Sequence, residues 1–205
     1  TGGGRVGKGA LEVIAKTNIK KVSPEDFLIK DFNFPVYTQL TAKDYVSRDD
    51  KKNFDKSVFF SNPAGHSSTF LKYAQVADMY VACHYWDNRS PFIFTRKDME
   101  HPNWKISIVA DISCDIDGPI ACTLRPSTIT NPFYGYDPKA QKEVDFYSKN
   151  SIGVMAVDNL PCELPKDASI EFGKMFISHV LEPIKGNDPE EIIYRASETI
   201  DGELT

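Results

Sequence analysis

Three glycines near the amino end carry the clearest chemistry. Gly2, Gly4 and Gly7 stand in the pattern G-x-G-x-x-G, with Arg5 and Val6 in its last two variable places. Behind them Leu11, Ile14 and Ala15 fall three and four apart, the spacing of one helix face. Such a loop can hold a diphosphate. Its first glycine permits a tight turn, its second lets the backbone approach the anion, and its third lets the helix pack closely on a strand. Free N–H groups at the helix start complete the cradle. A hydrophobic strand belongs in front of this fingerprint, whereas the pattern here follows directly on Thr1. The expected sheet therefore lacks its first strand within the chain, either because the chain is a piece of a larger protein or because the strand comes from elsewhere. A plain glycine turn is the competing reading.

In dinucleotide-binding folds the end of the second strand meets the adenosine ribose. A short strand is expected over Ile19 to Val22, which puts Ser23 at that place, with Lys20 and Lys21 before it and Glu25 and Asp26 after. A hydroxyl with two lysines could accept the 2′-phosphate of NADP. The carboxylates could equally hold the ribose of NAD, or only serve the first turn of a helix. The cofactor expected is NAD(P), with the lysines tilting it toward NADP. Asp111 and Asp115 follow a strand-like run at Ile106 to Ala110, and Asp158 follows another at Gly153 to Val157. Ligands of open parallel sheets gather at such carboxyl ends, although an aspartate there also ties the following turn through its own side chain.

The four cysteines, Cys83, Cys114, Cys122 and Cys162, form no C-x-x-C pair, and the four histidines do not fall at zinc-ligand spacings, so no metal site is expected. Free thiols in a reducing cytoplasm are expected, with a disulfide or a reactive cysteine as alternatives.

Those residues need elements to position them. The sequence predicts strands at Met79–Cys83, Ile106–Ala110 and Gly153–Val157. It predicts helices over Ser67–Ala77 (capped by Ser67, Ser68 and Thr69), Thr95–Glu100, Pro165–Leu181 and Pro189–Ala196. Ser23-Pro24 marks a further helix start. Residues 30–62 show no clean period and are expected to form loops and short elements, and Gly118 to Pro138, with four prolines, a long surface loop. Alternating strands and helices favour an α/β fold, a Rossmann-like, mostly parallel sheet with crossover helices. Residues 1–164 are expected to form a dinucleotide-binding domain with 30–62 as an irregular insertion, and 165–205 a returning helix and tail.

Two hundred and five residues are enough for one sizeable core, and 41% hydrophobic with 26% charged residues is a globular composition. A net charge of -5 argues against a general nucleic-acid or anionic-membrane binder, and no apolar run approaches the roughly 20 residues of a membrane span.

Four segments, Thr1–Ala10, Ala110–Asp115, Thr128–Phe133 and Ala156–Pro161, together resemble the lysine-forming saccharopine dehydrogenases. The likeness is strongest to the lysine-ketoglutarate reductase part of the bifunctional aminoadipic semialdehyde synthases, and extends more distantly to alanine dehydrogenase and transhydrogenase. It covers most of Thr1 to Leu181, thins between Lys30 and Asn62, and is absent after Lys185. The resemblance implies that lysine and 2-oxoglutarate condense to an imine, which a nicotinamide cofactor reduces to saccharopine, or the reverse. It implies Arg5 and Val6 against the cofactor pyrophosphate, Tyr85 near the adenine ribose, and Ile112 as a further cofactor contact. Ser113, Cys114 and Asp115 are implied near saccharopine, and Val157, Asp158, Asn159 and Leu160 around the nicotinamide. The family's general acid and base, a lysine and a histidine, come from a domain preceding the glycine loop. No catalytic residue is therefore assigned in this chain, which is expected to be inactive alone and to bind dinucleotide poorly. A homo-oligomer or a separate amino-terminal domain would complete it. An alanine-dehydrogenase-like enzyme and a non-catalytic nucleotide sensor are the other readings.

Overall fold

The computed structural model describes residues 1–204 and divides into two units, Thr1–Asp158 and a second from Asn159 onward. In the first unit the glycines lead into α1 (Arg5–Ile14), followed by β1 (Lys20–Lys21), α2 (Pro24–Ile29) and β2 (Val36–Tyr37). β1 and β2 pair in parallel as a two-stranded sheet. α2 starts as the sequence predicts, with Ser23 accepting from the Asp26 N–H at 3.1 Å and Pro24 in the first turn. Within residues 30–62 the elements are short: α3 (Ala42–Tyr45), β3 (Val46–Arg48) and α4 (Lys56–Ser61).

The next segment departs from expectation. Ser67 and Ser68 lie in β4 (His66–Ser68), antiparallel to β3, and the helix behind them, α5, covers only Leu71–Ala74. Serine side chains suit a strand edge as well as a cap. Ser68 donates to the Ile93 carbonyl at 2.6 Å and closes the turn ahead of α5 by accepting from the Phe70 N–H at 3.2 Å, while no side chain caps α5 itself.

β5 (Met79–Ala82), α6 (Arg96–Met99) and β6 (Ile108–Asp111) follow close to their predicted places. Thr95 and Asp98 close a reciprocal cap on α6. Gly118–Pro138 is not simply a surface loop. It contains β7 (Phe133–Asp137), which with β8 (Lys142–Val144) forms an antiparallel hairpin. Ile120, Cys122, Thr123 and Ser127 in the same segment are buried. β9 (Ile152–Met155) completes a sheet of order β5-β6-β9-β7-β8, parallel across β5, β6 and β9 and antiparallel beyond. The architecture is α/β with a mostly parallel centre, as a Rossmann-like fold requires. Its core joins Val109 and Val154 of the sheet to Phe70, Tyr80, Phe94 and Tyr136, with Phe70 and Tyr80 edge to face at 4.8 Å.

The second unit holds a 3₁₀ turn (Leu160–Glu163), α7 (Pro165–His179), α8 (Leu181–Ile184), α9 (Ile192–Ala196), β10 (Thr199–Ile200) and β11 (Glu203–Leu204). Among the described residues no helix is long and apolar enough to cross a membrane.

Candidate functional site

The glycine loop has the backbone its sequence implies. Gly2 sits at φ 102°, where a Cβ would run into the Cys83 carbonyl, so only glycine lets the loop lie this close to the end of β5. A Cβ on Gly7 would stand 2.5 Å from the Gly2 carbonyl oxygen, which makes Gly7 the contact closing α1 onto the loop. Gly4 differs, since a Cβ there would meet nothing within 4 Å. It is the N-cap of α1 and no side chain caps the helix, nor is any acidic residue in its first turn. The first turn of a ten-residue helix thus presents backbone N–H groups beside an open face. This arrangement fits a diphosphate, with Gly2 and Gly7 consumed by packing and Gly4 left clear for the anion.

The loop is tied to the strand ends. Gly2 donates to the Leu40 carbonyl at 3.1 Å, and Gln39 Nε2 donates to the Gly2 carbonyl at 3.2 Å. Next along, the Ile112 N–H bonds the Ala82 carbonyl at 3.0 Å and the Ser113 hydroxyl donates to the His84 carbonyl at 3.0 Å. Cys114, at φ 52°, points its thiol at the Ala156 carbonyl, 3.1 Å away. The segment after β6 therefore bonds the carboxyl ends of both β5 and β9. Its thiol is pushed up to about 11, first by burial and then by Asp111, Asp158 and Asp115, which makes it a neutral side chain rather than a nucleophile. Burial likewise raises the Asp115 carboxyl and holds the His84 imidazole down at about 4.

Asp111 is fully buried and faces inward. It accepts from the Cys114 N–H at 3.1 Å and from the Thr123 hydroxyl at 2.6 Å, so it fixes the turn that carries Ser113 to Asp115. Tyr85 lies beyond β5 with 86% of its surface open, and Val157 is buried while Asp158 is exposed. Ile112, Ser113, Cys114 and Val157 are thus gathered at adjoining strand ends with the glycine loop beside them. Ser23 caps α2 after β1, whose partner strand β2 leads toward Leu40 and so to Gly2. Asn159 and Leu160 fall in the second unit, where Asn159 precedes the 3₁₀ turn. Sequence reasoning did not anticipate the supports beneath: Thr123, Ser127 (whose hydroxyl accepts from the Ala156 N–H at 3.1 Å) and Gln39. Nothing in local spacing signals these, because each bond crosses many residues of chain. All four cysteines are free thiols, Cys83 and Cys122 buried and Cys162 exposed.

Fold and loop together define a Rossmann-like α/β region. No family model matches the chain. It is similar to the alpha-aminoadipic semialdehyde synthase of Arabidopsis thaliana, 28% identical over 228 residues covering the whole chain and 21% of that protein. The mitochondrial alpha-aminoadipic semialdehyde synthase of Mus musculus is 26% identical over the whole chain and 25% of its own length. A saccharopine dehydrogenase [NAD(+), L-lysine-forming] of Schizosaccharomyces pombe is 28% identical over 105 residues, 51% of the chain and 27% of that protein. The chain's homologues are therefore proteins of the lysine-ketoglutarate reductase/saccharopine dehydrogenase type, as the four resembling segments imply, and it spans about a quarter of their length.

Proposed function

We propose that this chain is the cofactor-binding portion of a saccharopine dehydrogenase-type oxidoreductase that interconverts lysine plus 2-oxoglutarate and saccharopine with NAD(P)H. One observation carries the reading: a glycine loop pressed onto the end of β5 by Gly2 and Gly7 leaves Gly4 and the start of α1 open for a diphosphate. In this reading Gly2 and Gly7 shape the pyrophosphate loop, Gly4 with the N–H groups of Arg5 and Val6 holds the pyrophosphate, and Tyr85 and Ile112 flank the nucleoside. Ser113, Cys114 and Asp115 approach the amino-acid substrate, while Val157, Asp158, Asn159 and Leu160 line the nicotinamide.

The bound cofactor supplies or accepts the hydride. The chain's own residues bind, orient and exclude water, and the proton-transferring groups are not assigned here. Lys20 and Lys21, both exposed near Ser23, support a preference for NADP through the charge they offer a 2′-phosphate. Residues 1–164 would make the dinucleotide domain, with 30–62 as its insertion and 165–205 as a returning helix and tail. Free thiols suit a reducing compartment, the cytoplasm in this reading.

The test is turnover by the full-length protein with lysine, 2-oxoglutarate and NADPH or NADH. Oxidation of the reduced cofactor only when both lysine and 2-oxoglutarate are present is expected. Turnover with pyruvate and ammonia instead would point to alanine-dehydrogenase-like chemistry, and cofactor binding without any turnover to a sensor.

A further inference from the structure

The two lysines of β1 reach toward opposite ends of the β1–β2 pair. The strands run parallel, with Lys20 opposite Val36 and Lys21 opposite Tyr37. The Lys20 ammonium lies 4.6 Å over the ring of Phe34, two residues before Val36. The Lys21 ammonium instead donates to Gln39 Oε1 at 3.4 Å, two residues past Tyr37. Successive residues of a strand face opposite sides, and here their long stems also diverge along it. In a parallel pair both carboxyl ends lie together. Lys21 therefore reaches the end where ligands of open sheets gather, and Lys20 the other end.

The other half of the Gln39 amide faces the glycine loop. Its Nε2 donates to the Gly2 carbonyl at 3.2 Å, while the neighbouring Leu40 carbonyl accepts from the Gly2 N–H at 3.1 Å. One side chain thus ties the ammonium of Lys21 to the loop that the proposed function gives to the diphosphate. An amide does this without cancelling the charge it holds, because its oxygen accepts a hydrogen bond and carries no formal charge. A carboxylate in its place would form an ion pair. Among the described residues Lys21 makes no ion pair. Nearby side chains are engaged elsewhere: Asp26 pairs with Lys30 at 2.9 Å, and the Ser23 hydroxyl caps α2. Ser23 is also neutral, so it offers no charge with which to tell a phosphate from a hydroxyl.

We propose that Gln39 is the residue that sets cofactor selectivity: it holds Lys21 beside the glycine loop as a single cationic seat for the 2′-phosphate of NADP, and Lys20 lies outside that seat. The assignment rests on the dinucleotide reading above and narrows it to one side-chain pair. A phosphate monoester brings roughly two negative charges. An ammonium already placed, on a neutral partner, meets them without first breaking an ion pair. NADH carries a hydroxyl there and gains nothing from the charge, while the glycine loop serves both cofactors alike.

The experiment titrates NADPH and NADH calorimetrically into the full-length protein, as wild type and as Lys21→Met, Lys20→Met and Gln39→Glu. Wild type should bind NADPH more tightly than NADH. Lys21→Met should weaken NADPH about tenfold or more, the loss of one charged contact, and leave NADH within about twofold. Gln39→Glu cancels the charge of Lys21 and should cost NADPH a similar factor while sparing NADH. Lys20→Met should move neither beyond about twofold. Adenosine 2′,5′-bisphosphate against AMP repeats the comparison without the nicotinamide and should give the same order. If Gln39→Glu does not fold, the two lysine variants decide. A selective NADPH loss in Lys20→Met instead of Lys21→Met, equal losses of both cofactors in Lys21→Met, or a wild type that prefers NADH would overturn the assignment and leave the dinucleotide reading standing. A wild type that binds neither cofactor would overturn both.

Discussion

Asp111 shows how a single buried carboxyl can fix the turn that follows a strand. Burial holds its pKa above the ordinary 3.8, against the pull of the Thr123 hydroxyl and the Cys114 N–H. The folded chain therefore binds that proton more tightly than the unfolded one. Stability linked to Asp111 is full below the unfolded value and is lost as pH rises through the folded value. Asp111→Asn, which can keep both hydrogen bonds, should remove this loss, so the gap between variant and wild-type urea midpoints should widen in the variant's favour from pH 3.8 toward neutrality. Asp111→Ala leaves both partners unpaired and should cost about 2–3 kcal/mol. The glycines divide differently. Gly7→Ala forces a Cβ to 2.5 Å from the Gly2 carbonyl and should destabilise the chain by about 1–3 kcal/mol. Gly4→Ala meets open space, so it should cost only about 0.5 kcal/mol through the weaker cap. In the full-length protein, on the proposed reading, it should nevertheless weaken NAD(P)H binding about tenfold, since the new methyl would crowd the proposed diphosphate site. Thermal melts and calorimetric titration separate the two variants. The glycines were legible because their spacing is local. Thr123, twelve residues from Asp111, was not.

At the scale of elements, the strands were legible where they are short apolar runs, as in Met79–Ala82, which alternates in burial, and Ile152–Met155, which is buried along most of its length. The segment from Gly118 to Pro138 was not, because its prolines signal a loop while its burial depends on distant partners. It packs beneath the strand ends because its polar groups are satisfied both by the strand ends and within the segment itself. The Ser127 N–H bonds the Ala156 carbonyl at 2.8 Å, and the Tyr134 hydroxyl donates to the Cys122 carbonyl and accepts from the Leu124 N–H, each at 3.0 Å. Tyr134→Phe keeps the ring but strands a buried carbonyl and an amide, and should cost about 1–3 kcal/mol. Gly135 has a different burden, since a Cβ there would strike the Asp145 carbonyl backbone. Gly135→Ala should therefore pry β7 from the turn after β8, seen as faster amide exchange across Gly135–Asp137 with β5 and β6 still protected. Equal exchange in all of these strands would mean that the hairpin and the parallel strands open together. The helix expected over Ser67–Ala77 failed for a related reason: serine and threonine satisfy a strand edge as readily as a helix start, and pairing with β3 decided between them.

Across the whole molecule the buried apolar cluster draws every member from Leu40 to Ala156, inside the first unit. In the second unit neither α7, α8 nor α9 contains a buried residue, and Phe172 and Ile177 of α7 are 73% and 64% exposed. Folding free energy comes chiefly from apolar burial, so the cooperative transition of the chain should belong to Thr1–Asp158. Stopping the chain after Asp158 should thus leave the near-ultraviolet circular dichroism and the urea midpoint of the main transition unchanged, to within about 0.5 kcal/mol. The far-ultraviolet helix signal should fall by the share that α7, α8 and α9 contribute. Loss of exposed Phe172 and Ile177 should also reduce self-association, since apolar patches of this kind drive it; light scattering reads that directly. A truncated chain that melts early, or loses its near-ultraviolet signal, would show that residues after Asp158 hold the first unit together.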